Sequence, residues 1–181
     1  MNEEVEKLVL SAKKGCKTAY GKIYEIYIKK IYRYVYFMVY SKELAEDITQ
    51  NAFIKAWISL PGFDQKRGTF QSYLYAIARN LVFDFQRKRK EISLEVIADI
   101  LPSNEDLEEI VNQSMVKEIT QKALSTLEDE EKEIVVLRYF EEMSYAEIGK
   151  ILGKGEGAVR VRLHRILKKL KAYLKENNYE N

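Results

Sequence analysis

From residue 18 to 40 apolar side chains recur at steps of three and four: Tyr20, Ile23, Tyr24, Tyr27, Ile28, Ile31, Tyr34, Val35 and Met38. That period lays them along one face of a long α-helix. Such a face must be buried against other helices or a bilayer. Glu25, Lys29, Lys30 and Arg33 break the segment into uncharged runs far shorter than the roughly 20 residues of a membrane span, so no direct membrane insertion is expected. The neighbouring sequence supplies helical partners instead. Ser41 suits an N-cap, and Leu44, Ala45, Ile48, Ala52, Ala56 and Trp57 form the next stripe, which Pro61-Gly62 ends. After a loop to Gly68, a third stripe follows: Phe70, Tyr73, Leu74, Ile77, Ala78, Leu81 and Phe85. With a short leading helix over 3–13, the spacing predicts a compact helical first domain over residues 1–90.

The formal net charge of +2 conceals a segregated pattern. Arg87-Lys88-Arg89-Lys90 closes the first domain; residues 91–116 then carry seven acids and no Lys or Arg, and basic residues dominate again after Lys154. Two positive segments around a negative connector suggest a polyanionic partner. Pro102-Ser103-Asn104 breaks the acidic stretch, so 91–113 reads as a flexible acidic linker and 114–181 as a second small helical domain. With 2 Pro and 8 Gly in 181 residues, the fold class is all-α. Cys16 and His164 each stand alone, which argues against a disulfide framework, a Cys-based zinc site and a His-dependent centre. No cofactor, metal or catalytic role is expected. Residues 1–7 are acidic, with no apolar signal segment after them, so the expectation is a soluble, cytoplasmic protein.

The most specific local pattern lies at 144–170. A short helix ends at Leu152-Gly153, and a second amphipathic helix starts a few residues later. Helix-turn-helix geometry asks for apolar Ile148 and Leu152, a small residue where the helices touch (Gly149), a turn glycine (Gly153) and an apolar anchor early in the second helix (Val159). On the second helix Val159, Leu163, Ile166, Leu167 and Leu170 share one face. Val161, His164, Arg165 and Lys168 lie opposite, with Arg160 and Arg162 on the flanks. Such a helix can enter a major groove, its long cations reaching phosphates and guanine edges. A solvated basic face is the plainer reading, but the surrounding motif favours DNA contact. Gly153-Lys154-Gly155-Glu156-Gly157 lacks the spacing and preceding strand of a phosphate loop, so these glycines read as turn and cap residues.

In the first domain Arg79, Asn80, Phe83 and Arg87 point away from their helix's apolar stripe, with Lys88 extending the charge. An exposed aromatic beside amide and guanidinium groups suits unstacked bases. Surface arginines beside a Phe83 buried against a neighbouring helix fit the spacing equally well.

Tyr20…Tyr27…Ile31-Tyr32-Arg33, the run from Ala45-Glu46-Asp47-Ile48 through Ala56-Trp57, and Tyr73-Leu74-Tyr75-Ala76-Ile77-Ala78-Arg79-Asn80…Asp84…Arg87 resemble region 2 of the extracytoplasmic-function RNA polymerase sigma factors. Ile134-Val135-Val136-Leu137-Arg138-Tyr139-Phe140, Ser144-Tyr145-Ala146-Glu147-Ile148-Gly149 and Val159-Arg160-Val161-Arg162-Leu163-His164-Arg165 resemble their region 4. The resemblance implies a factor that binds core RNA polymerase and directs promoter-specific transcription initiation. It places Asp47, Gln50 and Asn51 on the β′ clamp helices. It gives the melted −10 strand to the 63–68 loop with Arg67, and to the Arg79, Asn80, Phe83, Arg87 and Lys88 face. It gives the −35 duplex to Arg160, Val161, Arg162, His164, Arg165 and Lys168, and the β flap to the same second domain. It also implies an anti-sigma factor as partner. Asn51 stands where the family usually has an acid, and Tyr73 where a Trp is frequent. Gly155, Ala158 and Val161 replace residues that often carry hydroxyls, removing phosphate and base hydrogen bonds. The competing readings are a homodimeric helix-turn-helix regulator of duplex operators, which leaves the Asp47 and Gln50 face unexplained, and a nucleotide-using enzyme, for which no carboxylate pair or phosphate loop is present.

Overall fold

The computed structural model describes residues 2–93, 114–177 and 179, which divide in sequence into two compact helical units. The first holds α1 (Asn2–Lys13), α2 (Lys17–Val39), α3 (Lys42–Ser59) and α4 (Phe70–Ser93), with single 3₁₀ turns at Leu60–Gly62 and Gln65–Arg67. The second holds α5 (Ser114–Ser125), α6 (Asp129–Val135), a π-helical turn at Val136–Phe140, α7 (Tyr145–Leu152) and α8 (Glu156–Glu176). Among the described residues there is no strand. Helix α4 carries three residues into the stretch expected to be linker, and the rest of that linker, 94–113, lies outside the described residues.

Helix α2 is the spine of the first unit and packs against α1, α3 and α4. Ile23, Tyr27, Ile31, Tyr34, Val35 and Met38 are buried as the periodicity predicts, and Tyr36 and Phe37 join them, so the last turns are buried on every side. Tyr20 and Ile28 are only half-buried, and Tyr24 stands at the exposed edge of the stripe. Helix α3 meets the spine through Trp57 against Tyr20 and Phe53 against Tyr24, ring centroids 4.8 and 4.7 Å apart, and its Ala45, Ala52 and Ala56 are fully buried; side chains this small let helices lie close. The Ser41 hydroxyl accepts the Leu44 N–H at 3.4 Å, the N-cap expected there.

Helix α4 is rotated from the expected phase. Phe70, Leu74 and Ala78 are buried as expected, but Tyr75 and Val82 complete the inner face, whereas Tyr73, Ile77, Leu81 and Phe85 are only half-buried. Tyr75 packs edge-on to Tyr34 of α2, ring centroids 5.3 Å apart, and that contact fixes the rotation.

In the second unit Ile134, Val135, Val136 and Leu137 are buried around the switch from α-helix to π-turn. The wide turn closes with Glu141 N–H donating to the Val136 carbonyl at 3.1 Å and Met143 N–H to that of Leu137 at 3.0 Å. Ile148, Ile151, Val159, Leu163 and Ile166 supply the facing surface from α7 and α8.

Leu74 is fully buried where α4 crosses the unit. Leu74→Ala is expected to destabilise this unit by about 2–5 kcal/mol, the usual range for emptying such a site. Trp57 is the only tryptophan and belongs to the same unit, so its fluorescence through a urea titration reads the change.

Candidate nucleic-acid interface

Two glycines shape the α7–α8 turn for different reasons. Gly153 adopts φ 65°, a left-handed conformation that costs an L side chain about 1 kcal/mol or more. Gly149 is required by space: a Cβ there would lie 2.6 Å from the Lys154 carbonyl oxygen. The same Cβ would lie 3.5 Å from Glu156 N, so at Gly149 α7 meets the backbone of the turn and of the start of α8. Gly155 is the N-cap of α8, while Gly157 lies inside its first turn with open space around it, so a turn or cap role does not explain Gly157. Helix α7 starts with a reciprocal cap. Ser144 Oγ accepts the Glu147 N–H at 3.2 Å, and a Glu147 carboxylate oxygen accepts the Ser144 N–H at 2.9 Å.

Helix α8 buries Val159, Leu163 and Ile166 and leaves Val161, His164, Arg165 and Lys168 exposed together, as expected. Leu167, expected inside, is 38% exposed, because the inner face is complete with steps of four and three from Val159. The flanking arginines diverge. Arg160 pairs with Glu156 at 2.7 Å and lies over the Tyr145 ring at 5.3 Å, while Arg138 lies over the same ring at 4.9 Å. Arg162 turns back toward the start of α6, 3.2 Å from Glu130 and 3.9 Å from Glu128. Lys154 also pairs with Glu130, and Lys169 reaches Glu131 at 2.8 Å. The acidic first turn of α6 therefore holds one side of α8 and its turn, and the other cations remain outward.

In the first unit the exposed face of α3 carries Asp47, Gln50 and Asn51, as expected. Ile54 and Ile58 continue the same face, 56% and 70% exposed. The sequence reading missed these two; the available signal was isoleucine at 100°-per-residue spacing from Asp47, on the polar side of the helix. Beside this face Tyr20, Tyr24, Phe53, Ile54 and Trp57 line an apolar cleft of about 500 Å³ that Gln50 borders.

The Arg79 guanidinium stacks on Phe83, 4.6 Å from the ring centroid. Phe83 is thus half-buried beneath a cation, intermediate between the two arrangements its spacing allowed. Asn80 is exposed and lines, with Lys55, Ile58, Ser59, Ile77 and Leu81, a groove of about 320 Å³ between α3 and α4. Arg87 pairs with Asp84 at 3.0 Å, Lys88 is exposed, and Arg67 stands on the loop turn 3.9 Å from Asp64. No group of three or more metal-ligating side chains occurs among the described residues, and no helix among them is long and apolar enough to cross a membrane.

The sigma-70 region 2 family model matches residues 23–92 and the sigma-70 region 4 model matches residues 117–170. The chain is 34% identical to the ECF RNA polymerase sigma factor SigW of Bacillus subtilis (strain 168), over 97% of this chain and all of that one. It is 30% identical to the ECF RNA polymerase sigma factor SigM of the same organism, over 83% of this chain and 91% of that one. Its fold is shared with CnrH, solved in complex with the cytosolic domain of CnrY. That match has a TM-score of 0.74 at 24% identity, covering 96% of this chain and 98% of that one. RpoE from Bartonella quintana, solved with the anti-sigma factor NepR, gives 0.69 at 22% identity, covering 86% and 96%.

The Lys169 ammonium, hydrogen-bonded to Glu131, holds that carboxyl below its ordinary range. A depressed folded-state pKa contributes stability above the unfolded pKa, and that contribution is lost as pH falls through the folded value. Glu131→Gln is therefore expected to lower the thermal midpoint of the second unit at pH 7. The gap from wild type should close as the solution is acidified below the carboxylate range, as read by circular dichroism.

Proposed function

The chain belongs to the extracytoplasmic-function RNA polymerase sigma factors, and from that premise we propose how its exposed faces divide the work of promoter-specific transcription initiation. As a sigma factor it binds core RNA polymerase and promoter DNA. The face of α3 with Asp47, Gln50 and Asn51 docks on the β′ clamp helices, with Ile54 and the adjoining apolar cleft burying nonpolar surface beside the polar contacts. The 63–68 loop with Arg67, and the α4 face with Arg79, Asn80, Phe83, Arg87 and Lys88, capture the melted −10 strand. Melting costs a few kcal/mol per unstacked base, and binding of the freed bases offsets it. The outward residues of α8, Arg160, Val161, His164, Arg165 and Lys168, read the −35 duplex. Arg162 supports that helix from behind through its α6 acids and reaches DNA only if those pairs exchange. The second unit also grips the β flap. The factor performs no catalysis itself and acts in the cytoplasm, and an anti-sigma factor, such as the one solved with RpoE of B. quintana, is its natural antagonist.

One observation carries this reading. The unit matching sigma-70 region 2 exposes a polar-and-apolar α3 face that a stand-alone operator-binding regulator leaves without a purpose.

The decisive experiment is run-off transcription from genomic fragments by bacterial core polymerase, with and without the protein. New discrete starts only on addition are expected; none, together with tight operator binding by the protein alone, would replace this reading with a conventional regulator. In the same assay Arg165→Ala should weaken promoter binding by about 1–3 kcal/mol, the range for one base-reading arginine, at unchanged core affinity. Asp47→Ala should do the reverse, weakening core binding by about tenfold, or 1.4 kcal/mol. Equal loss of both activities in either variant would reject that residue's assignment.

A further inference from the structure

Helix α1 ends in a long-range contact that the roles above do not use. Lys13 Nζ donates to the Phe63 carbonyl oxygen at 2.6 Å, joining residues 50 positions apart. Phe63 is the root of the loop between α3 and α4. Its ring is buried against Phe70 and Tyr73, centroids 5.9 and 4.8 Å away, and its N–H donates to the Leu60 carbonyl at 3.0 Å.

Beyond Phe63 the loop closes largely on itself. Asp64 accepts the Lys66 N–H through its carboxylate at 3.0 Å and the Arg67 N–H through its carbonyl at 3.0 Å. The Gly68 N–H donates to the Gln65 carbonyl at 3.3 Å. The side chains of Asp64, Gln65, Lys66 and Arg67 are exposed. The loop is thus a small preformed turn whose direction depends on how its root is held. The Phe63 ring fixes depth. The carbonyl fixes the plane of the peptide leading to Asp64, and with it the direction in which the turn leaves the helices.

Lys13 can hold that carbonyl because α1 is itself fixed. Val5, Val9 and Ala12 lie at steps of four and three on one face of α1, all buried, and α1 packs on α2 and on the Leu60–Gly62 turn. Its charged donor makes a stronger bond to a carbonyl than a neutral donor does, and that bond ties the flexible Lys13 stem, and with it the end of α1, to the root of the loop.

We propose that α1 aims the strand-capturing loop through Lys13, making Lys13 a positioning residue for −10 capture. The proposal rests on the assignment of the 63–68 loop to the melted strand. A correctly aimed loop receives a flipped base without first paying to reorder its backbone, so the effect belongs to the melting step.

The test uses full-length protein, core polymerase and a promoter mapped by run-off, as a duplex and with its −10 segment made noncomplementary. Lys13→Met keeps the apolar stem and removes the donor; Lys13→Arg restores a cationic donor. Lys13→Met is expected to reduce open complexes on the duplex by about tenfold, the lower end for losing one hydrogen bond to a charged group. The reduction should shrink to within about twofold on the premelted template, with core affinity unchanged and Lys13→Arg near wild type. An equal deficit on both templates, or a parallel loss of core affinity, would overturn the proposal in favour of simple destabilisation. Wild-type behaviour of Lys13→Met would overturn it outright. If the wild-type protein directs no promoter-specific starts, the functional reading itself fails and the proposal falls with it.

Discussion

The burial of α2 is the constraint on which the first unit depends. Its C-terminal turns are covered on every side, from Tyr34 through Met38, so α1, α3 and α4 must all pack on it. Each then takes its orientation from that contact. Helix α3 sets Phe53 and Trp57 against Tyr24 and Tyr20 and buries its alanines, which leaves Asp47, Gln50, Asn51 and Ile54 outward. Helix α4 is rotated by the Tyr75 contact to Tyr34, which places Asn80 on the groove beside α3 and Arg79 over Phe83. The two faces proposed to bind polymerase and DNA are what remains on α3 and α4 once the spine has been covered.

The second unit solves a different problem, because α8, the helix proposed to read DNA, carries cations on several sides. Asp129, Glu130 and Glu131 at the start of α6 lie at the positive end of that helix's dipole, where acids are favoured. Glu130 and Glu131 also pair with Arg162, Lys154 and Lys169 of α8 and its turn. These are partly exposed pairs and individually modest. Their consequence is directional: the inward cations are neutralised, while Arg165 and Lys168 face solvent and add their charge to the field a duplex would meet. The turn before α8 is equally constrained, since Gly149 lets the Lys154 carbonyl sit against α7 and Gly153 turns the chain.

Much of this was legible in the sequence. The apolar periods located the helices, Ser41 and Gly153 marked an N-cap and a turn, and the order of two sets of motifs pointed to the family before any geometry was known. The exposed positions of Asp47, Gln50, Arg165 and Lys168 follow from the same periodicity. The misses have physical causes. Ile77 and Leu81 fit an apolar stripe as well as Tyr75 and Val82 do, because an amphipathic helix with many apolar residues has more than one acceptable phase. Leu167 fits the core by spacing yet is 38% exposed, because periodicity does not say how wide a buried face needs to be.

The sequence by itself determined that the chain is helical, roughly where its helices lie, and which residues oppose the apolar faces of α3 and α8. Those properties are local, set by side-chain spacing and capping chemistry within a few turns. Tertiary structure alone decided the rotation of α4, the turning of Arg162 toward α6 rather than outward, and the grip of Lys13 on the Phe63 carbonyl. Each of these depends on a partner tens of residues away, and no local rule of spacing specifies which distant atom a long side chain will find once the cores have closed.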